Sequence, residues 1–266
     1  MVFVAACSGP SSRPAPAGET ALSDSGVADA VFDGATQAHS AGTWCADRAE
    51  DFCDDFDTPA FTSQWWSMNL TSGVSGAGLP PGALDITNHT SIPNAFTART
   101  PAIAGAASEL LQIQGGGGGS TDASHVDADF AFAVRVEAVS GGPRTEVARI
   151  EGVNPITFAS YAVALLVSTS GTSVELTQGS QGKVIMALAA TPRTRAWSRV
   201  TVHLGLERTV FGPPTPVVIQ IDAAPPETFA IDRGMGVKPF LRLGLAVTGP
   251  SAPCEVAYDD VTYDAR

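Results

Sequence analysis

From Trp44 onward, short apolar runs alternate with polar residues at period two, the spacing of strands. In residues 129–137, Phe130, Phe132, Val134 and Val136 share one face, against Asp129, Arg135 and Glu137 on the other. Residues 197–207 set Val200, Val202, Leu204 and Leu206 against Arg199, Thr201, His203 and Glu207. Leu241, Leu243, Leu245 and Val247 repeat the pattern around Arg242. Shorter runs predict strands at 84–87, 109–114, 161–167, 173–177, 184–188, 217–222 and 256–263.

About a dozen strands with almost no helical pattern predict an all-β sandwich or barrel. Two short stretches are helix candidates: residues 26–32 and the loop between Cys45 and Cys53. No repeat of fixed period occurs, which argues against a propeller or solenoid. Gly115–Gly119 reads as a loop, because Ser120-Thr121-Asp122 follows where a phosphate cradle needs Lys-Ser or Lys-Thr.

Composition adds an address. Residues 8–43 are rich in Ala, Ser, Gly and Pro and read as a flexible tether. Val4-Ala5-Ala6-Cys7 looks like a bacterial lipobox, although only Met1-Val2-Phe3 precede it, short of a full signal. This predicts an exported outer-membrane or surface lipoprotein: residues 1–7 the signal remnant, Cys7 the lipidated residue, 44–266 the folded domain. Membrane contact is then expected only through the lipid at Cys7, since no run of ~20 apolar residues exists. With 15 Lys+Arg against 27 Asp+Glu, the net charge of −12 argues against a nucleic-acid groove. A monomer is expected. Beyond Cys7, the sequence has Cys45, Cys53 and Cys254. Cys45 and Cys53 enclose a short loop suited to a disulfide in an oxidising compartment, leaving Cys254 as a thiol. No zinc-ligand spacing is present.

Two end segments carry a family resemblance. Phe52-Cys53-Asp54-Asp55-Phe56-Asp57 with Trp65-Trp66 resembles the opening of concanavalin A-like lectin/glucanase domains, including laminin-G-like jelly rolls. Ala257-Tyr258-Asp259-Asp260-Val261-Thr262-Tyr263 resembles their closing strand. Between them, residues 197–202 and Val218-Ile219-Gln220-Ile221-Asp222 resemble two internal strands, with Ala223 where the family usually has Gly. The resemblance spans residues 50–266, and tethered domains of this kind resemble bacterial lipoproteins of the myxobacterial type. It implies a two-sheet antiparallel jelly-roll β-sandwich with adjacent first and last strands. It implies no single activity, because the scaffold hosts lectins, hydrolases, lyases and structural modules.

Catalytic signatures are sparse. A retaining glycosidase of this fold needs E-x-D-x-E, whose alternate carboxylates flank the bond about 5–5.5 Å apart; none is present. His125, Asp127 and Asp129 share a face at strand spacing, as a degenerate acid/base trio or as a plain polar face. Glu146 and Glu151, at odd spacing, are expected on opposite sheet faces. A lyase-type site would need a Tyr/His pair with Arg, for which His203, Arg199 and Tyr161 are the available residues. Gly73-Val74-Ser75-Gly76-Ala77 lacks the last Gly of a serine-hydrolase elbow.

Carbohydrate binding remains the first reading, with a polysaccharide or glycan as partner. Sugars stack on exposed aromatic rings while polar side chains meet their hydroxyls. Trp65 and Trp66 are the aromatic candidates, since adjacent strand residues face opposite ways. Arg135, Glu137, Arg199, His203 and Arg242 are candidates to line the same concave face. Trp197 is expected at the core edge. Pairing of the end strands would gather Asp54, Asp55, Asp57, Asp259 and Asp260, a set of hard oxygen ligands suited to a structural calcium; no other cofactor is indicated. The alternatives are a hydrolase or lyase on the same scaffold, or an adhesion module that binds protein.

Overall fold

Alternating residues build strands here because every second side chain has a core to enter. The computed structural model describes residues 44–45, 48–50, 52–57, 65–69, 83–87, 95–103, 108–115, 127–139, 144–153, 160–178, 182–205, 214–231 and 239–265. Cys7, the tether at 8–43, the helix candidate at 26–32 and His125 lie outside them, as do the side chains of Trp65 and Trp66. In chain order the strands are β1 (Phe52–Asp54), β2 (Trp65–Asn69), β3 (Ala83–Thr87), β4 (Ala95–Thr100), β5 (Ser108–Gly115), β6 (Asp127–Ala138), β7 (Thr145–Val153) and β8 (Ser160–Ser168). There follow β9 (Gly171–Gln178), β10 (Lys183–Ala187), β11 (Trp197–Gly205), β12 (Thr215–Ile221), β13 (Glu227–Ile231), β14 (Phe240–Thr248) and β15 (Cys254–Ala265). No α-helix occurs among the described residues; the Cys45–Cys53 loop holds a turn instead, closed by Arg48 N–H donating to Cys45 O at 3.1 Å.

The strands form two antiparallel sheets. The first has eight strands in the order β13-β12-β11-β6-β15-β4-β3, with β1 paired to β15. The second has seven, in the order β10-β9-β8-β7-β14-β5-β2. The end strands are adjacent: β1 pairs with β15 from Phe52↔Tyr263 to Asp54↔Val261, beyond the stretch of β15 that pairs with β4.

Between the sheets lies one apolar core. The first contributes Phe130, Phe132, Val200, Val202, Leu204, Ile219 and Tyr258, and the second Ile150, Val163, Leu165, Leu176, Leu241 and Leu243. Each fully buried side chain of this size stabilises the fold by about 1.5–3 kcal/mol. An aromatic chain runs through it, with Phe56–Phe96 centroids at 5.6 Å and Phe96–Tyr258 at 5.7 Å. On β15 the inward residues step by three, from Tyr258 to Val261, across a bulge where Asp260 has φ 50°. The extra residue keeps both buried.

Cys45 and Cys53 are joined as a disulfide, S–S 2.01 Å. Cys254 begins β15, at the opposite end from Thr262, the partner of Cys53. It is a buried thiol, its Sγ 3.4 Å from Ala252 O.

Candidate functional site

Outward-facing side chains form two separate polar faces, one per sheet, and the sequence candidates divide between them. On the first sheet, Asp129, His203, Arg199 and Arg135 occupy outward registers of the β6–β11 pair, where His203 faces Asp129 and Trp197 faces Arg135. His203 Nδ1 lies 2.8 Å from Asp129 Oδ1, and its Nε2 lies 3.6 Å from Asp127. Arg135 pairs with Glu137 two residues along the same strand. Arg199 Nη1 donates to Asp260 O at 2.6 Å, and its guanidinium sits 5.4 Å from the Trp44 ring centroid. Arg48 stacks on Trp44 at 3.8 Å, so the indole is shared by two guanidiniums. Trp197, expected at the core edge, is half-buried in the outward register, because the inward position falls to the fully buried Ser198.

The lyase-type trio is not assembled. His203 and Arg199 face outward on the first sheet, whereas Tyr161 is buried in the core from the second. Nor does one face hold the carbohydrate candidates, since Arg242 lies on the second sheet, away from Arg135, Glu137, Arg199 and His203. Trp65 and Trp66 begin β2, at the far edge of the second sheet. Strand alternation identifies which residues face outward but not which sheet they face outward from.

The denser arrangement lies on the second sheet. In register, Arg149 stands opposite Arg242 on one side and Ala164 on the other, and Ala164 stands opposite Glu175. Two arginines side by side repel, and carboxylates relieve this. Glu146 Oε1 and Oε2 accept from Arg149 Nε at 3.0 Å, and Oε2 also from Nη2 at 2.7 Å. Arg149 also lies 3.5 Å from Glu151 and, across the small Ala164, 3.5 Å from Glu175. Arg242 Nη2 lies 2.9 Å from Glu151, and Lys183 Nζ 2.9 Å from Glu175. The guanidinium of Arg242 rests 5.3 Å from the Phe240 ring centroid. Arg149, Glu146 and Glu175 are only 15, 10 and 11% exposed at the side chain, so these contacts are shielded from solvent. Burial alone disfavours the charge on Arg149; the Glu146 hydrogen bonds and the charges of Glu146, Glu151 and Glu175 outweigh it and raise its pKa.

Glu146 reaches this face through a β-bulge. In an unbroken strand Glu146 would point the same way as Ala148 and Ile150, into the core, as its odd spacing from Glu151 implies. The pairing slips instead: Glu146 faces Leu166 while Ala148 faces Leu165, so Val147 is the extra residue and enters the core beside Ala148. On the other side the partners jump from Leu243 to Ala246, past Gly244 at φ 136°. The slip turns Glu146 outward, next to Arg149. Gly244 inside an otherwise regular Leu-rich strand is the sequence signal for this, since glycine there marks a bulge.

The acidic end strands do meet, as the β1–β15 pairing requires. Oxygens of three of them, Asp54, Asp55 and Asp259, accept from backbone N–H groups. Asp54 Oδ1 accepts from Phe56 N at 2.9 Å, Asp55 from Cys45 N and Asp57 N at 3.3 Å each, and Asp259 Oδ1 from Asp260 N at 2.9 Å. Among the described residues, no group of three or more His, Cys, Asp or Glu is placed to hold a metal ion.

Comparison with known proteins bears on the fold. No family model matches the sequence, and no curated protein matches it. Among solved structures, the endo-β-1,4-glucuronan lyase from the fungus Trichoderma reesei superposes with TM-score 0.57 at 14% identity, covering 82% of this chain and 96% of that one. The cellulose-induced protein Cip1 gives 0.50 at 10% identity, covering 80% and 96%. The chain shares with these structures a two-sheet antiparallel jelly-roll β-sandwich, the fold that the end-segment resemblance implied.

Proposed function

We propose that this protein binds a hydroxyl-rich polysaccharide on the outer face of its second sheet and does not cleave it. The observation that carries this reading is the Glu146–Arg149–Glu151–Glu175 lattice, extended by Arg242 and Lys183. It offers fixed donors and acceptors across strands spaced about 4.8 Å apart, with its side chains already ordered. Three carboxylates and three cations balance, which suits sugar hydroxyls better than a dense polyanion. Both oxygens of Glu146 accept from Arg149, so neither is placed to hand a proton to a leaving group. All three tyrosines are inward-facing residues of the core cluster, so none is a base on this face. The Cys45–Cys53 disulfide supports export, and with the lipobox at Cys7 it supports a tethered surface protein.

The lyase alternative takes its support from the fold shared with the glucuronan lyase. One experiment separates the two. The full chain is applied to a glycan array with neutral β-1,4-glucans and glucuronan, and the same glycans are assayed for unsaturated uronate ends. Binding without new ends is expected. Release of unsaturated ends would replace the binding reading with the lyase. Absence of both would overturn a carbohydrate function and move the search to a protein partner.

A further inference from the structure

The hydroxyl of Tyr258 reaches the bulge from the core side. Tyr258 stands on β15 in the first sheet and is fully buried. It crosses the core to the second sheet, where its hydroxyl oxygen lies 2.5 Å from Val147 O and 2.8 Å from Gly244 O. Val147 is the extra residue of the β7 bulge, and Gly244 is the positive-φ residue facing it on β14. Both carbonyls therefore turn toward the interior at the slip in pairing, where a buried carbonyl without a donor is disfavoured. The phenol supplies one proton, which the two oxygens share.

We infer that Tyr258 is a positioning residue for the candidate site: its hydroxyl holds the Val147/Gly244 bulge and thereby fixes Glu146 beside Arg149 on the outer face. This inference rests on the proposed binding face for its consequence, but its geometry stands without any ligand. A strand that relaxed to regular pairing would carry Glu146 toward the core and open the contacts to Arg149. The pin comes from the other sheet, so the site's geometry depends on how the two sheets are packed. Loss of the hydroxyl should loosen one ion pair while leaving the hydrophobic ring contacts with Phe96 and Phe132 in place.

The test compares Tyr258→Phe, Gly244→Ala and Val261→Ala, the last a fully buried core change on the same strand whose side chain has no hydrogen-bond donor. The readout is the Arg149 Nε–H resonance in proton–nitrogen NMR, which the Glu146 contact protects from exchange. Tyr258→Phe and Gly244→Ala are expected to shift or lose this resonance, and Val261→Ala to keep it. Persistence of the resonance in Tyr258→Phe, or its equal loss in Val261→Ala, would overturn the inference. If Tyr258→Phe does not fold, Gly244→Ala decides by the same criterion, because it strains the bulge with the hydroxyl intact. Binding of a neutral β-1,4-glucan oligosaccharide should weaken roughly ten-fold in Tyr258→Phe, the effect of one lost charge-assisted contact. Wild-type protein that binds no glycan yet shows the predicted NMR pattern would sink the binding reading and leave the positioning role standing.

Discussion

On the outer face of the first sheet, charged groups are tied to near neighbours or to backbone: Arg135 to Glu137, His203 to the adjacent Asp129, Arg199 to the carbonyl of Asp260. On the second sheet, Arg149 alone touches carboxylates from two strands, and Glu151 and Glu175 pass the network on to Arg242 and Lys183. Side chains of similar type thus make small local groups on one face and a lattice that runs across several strands on the other. The difference comes from backbone geometry. The first face keeps regular pairing along β6–β11, where His203 meets Asp129 in direct register, and its bulge on β15 offers Arg199 the carbonyl of Asp260. The second has a bulge that brings in an additional carboxylate, and a small residue, Ala164, that lets a guanidinium reach across a strand. A lattice of this kind is costly to build by chance, because partly buried charges are stable only when well paired.

Breaking the lattice at its centre should have the largest effect. Arg149→Met leaves Glu146, Glu151 and Glu175 without their shared cation and should cost about 3 kcal/mol, or roughly 6–12 °C in Tm, by thermal denaturation. A loss as small as that of a surface pair would make the two faces equivalent.

Removal of the pin comes next. Tyr258→Phe should lower stability by about 1–3 kcal/mol, the cost of leaving buried carbonyls without a donor. The residue also gives the protein an alkaline limit. Burial pushes the Tyr258 phenol well above its ordinary value, so the folded state keeps a proton that the unfolded chain releases from about pH 10. Its contribution is complete below that pH and is lost as pH rises toward the folded-state value. Denaturant titrations between pH 8 and 11 should show this decline in wild type and a shallower one in Tyr258→Phe.

The first face should respond weakly. Arg135→Ala removes a partly exposed pair and should cost less than about 1 kcal/mol in the same assay. Smallest of all is the effect of chelation. Because the end-strand aspartates accept from backbone N–H groups, melting with calcium and with chelator should coincide; a higher Tm with calcium would point to an ion at Asp54, Asp55 or Asp259.

Much of the fold was legible because three strands, β6, β11 and β14, alternate apolar with polar residues in sequence and bury Phe130, Phe132, Val134 and Val136, then Val200, Val202 and Leu204, then Leu241, Leu243, Leu245 and Val247. β4 carried a weaker signal: its Ala and Thr residues are buried on both faces, and Arg99, paired with Glu255, is the one charged residue that marks its outer side. The strand at 217–222 ends at Ile221, one residue early, because Asp222 at φ 52° starts a turn and its Oδ1 accepts from Arg199 N. The candidate site was less legible. Arg242 could be found by alternation, but Glu146 was hidden by the bulge, and period-two reasoning placed it on the wrong face. Grouping Arg242 with Arg199 and His203 failed for another reason, since sheet membership is set by long-range pairing that local pattern does not encode.

Side-by-side calorimetric titration of Arg242→Gln and Arg199→Gln with the best ligand from the glycan array tests the central claim most directly. The account predicts at least a ten-fold loss of affinity for Arg242→Gln, whose guanidinium lies within the lattice, and wild-type affinity for Arg199→Gln. Loss of binding in Arg199→Gln with Arg242→Gln unaffected would place the site on the first sheet and contradict it.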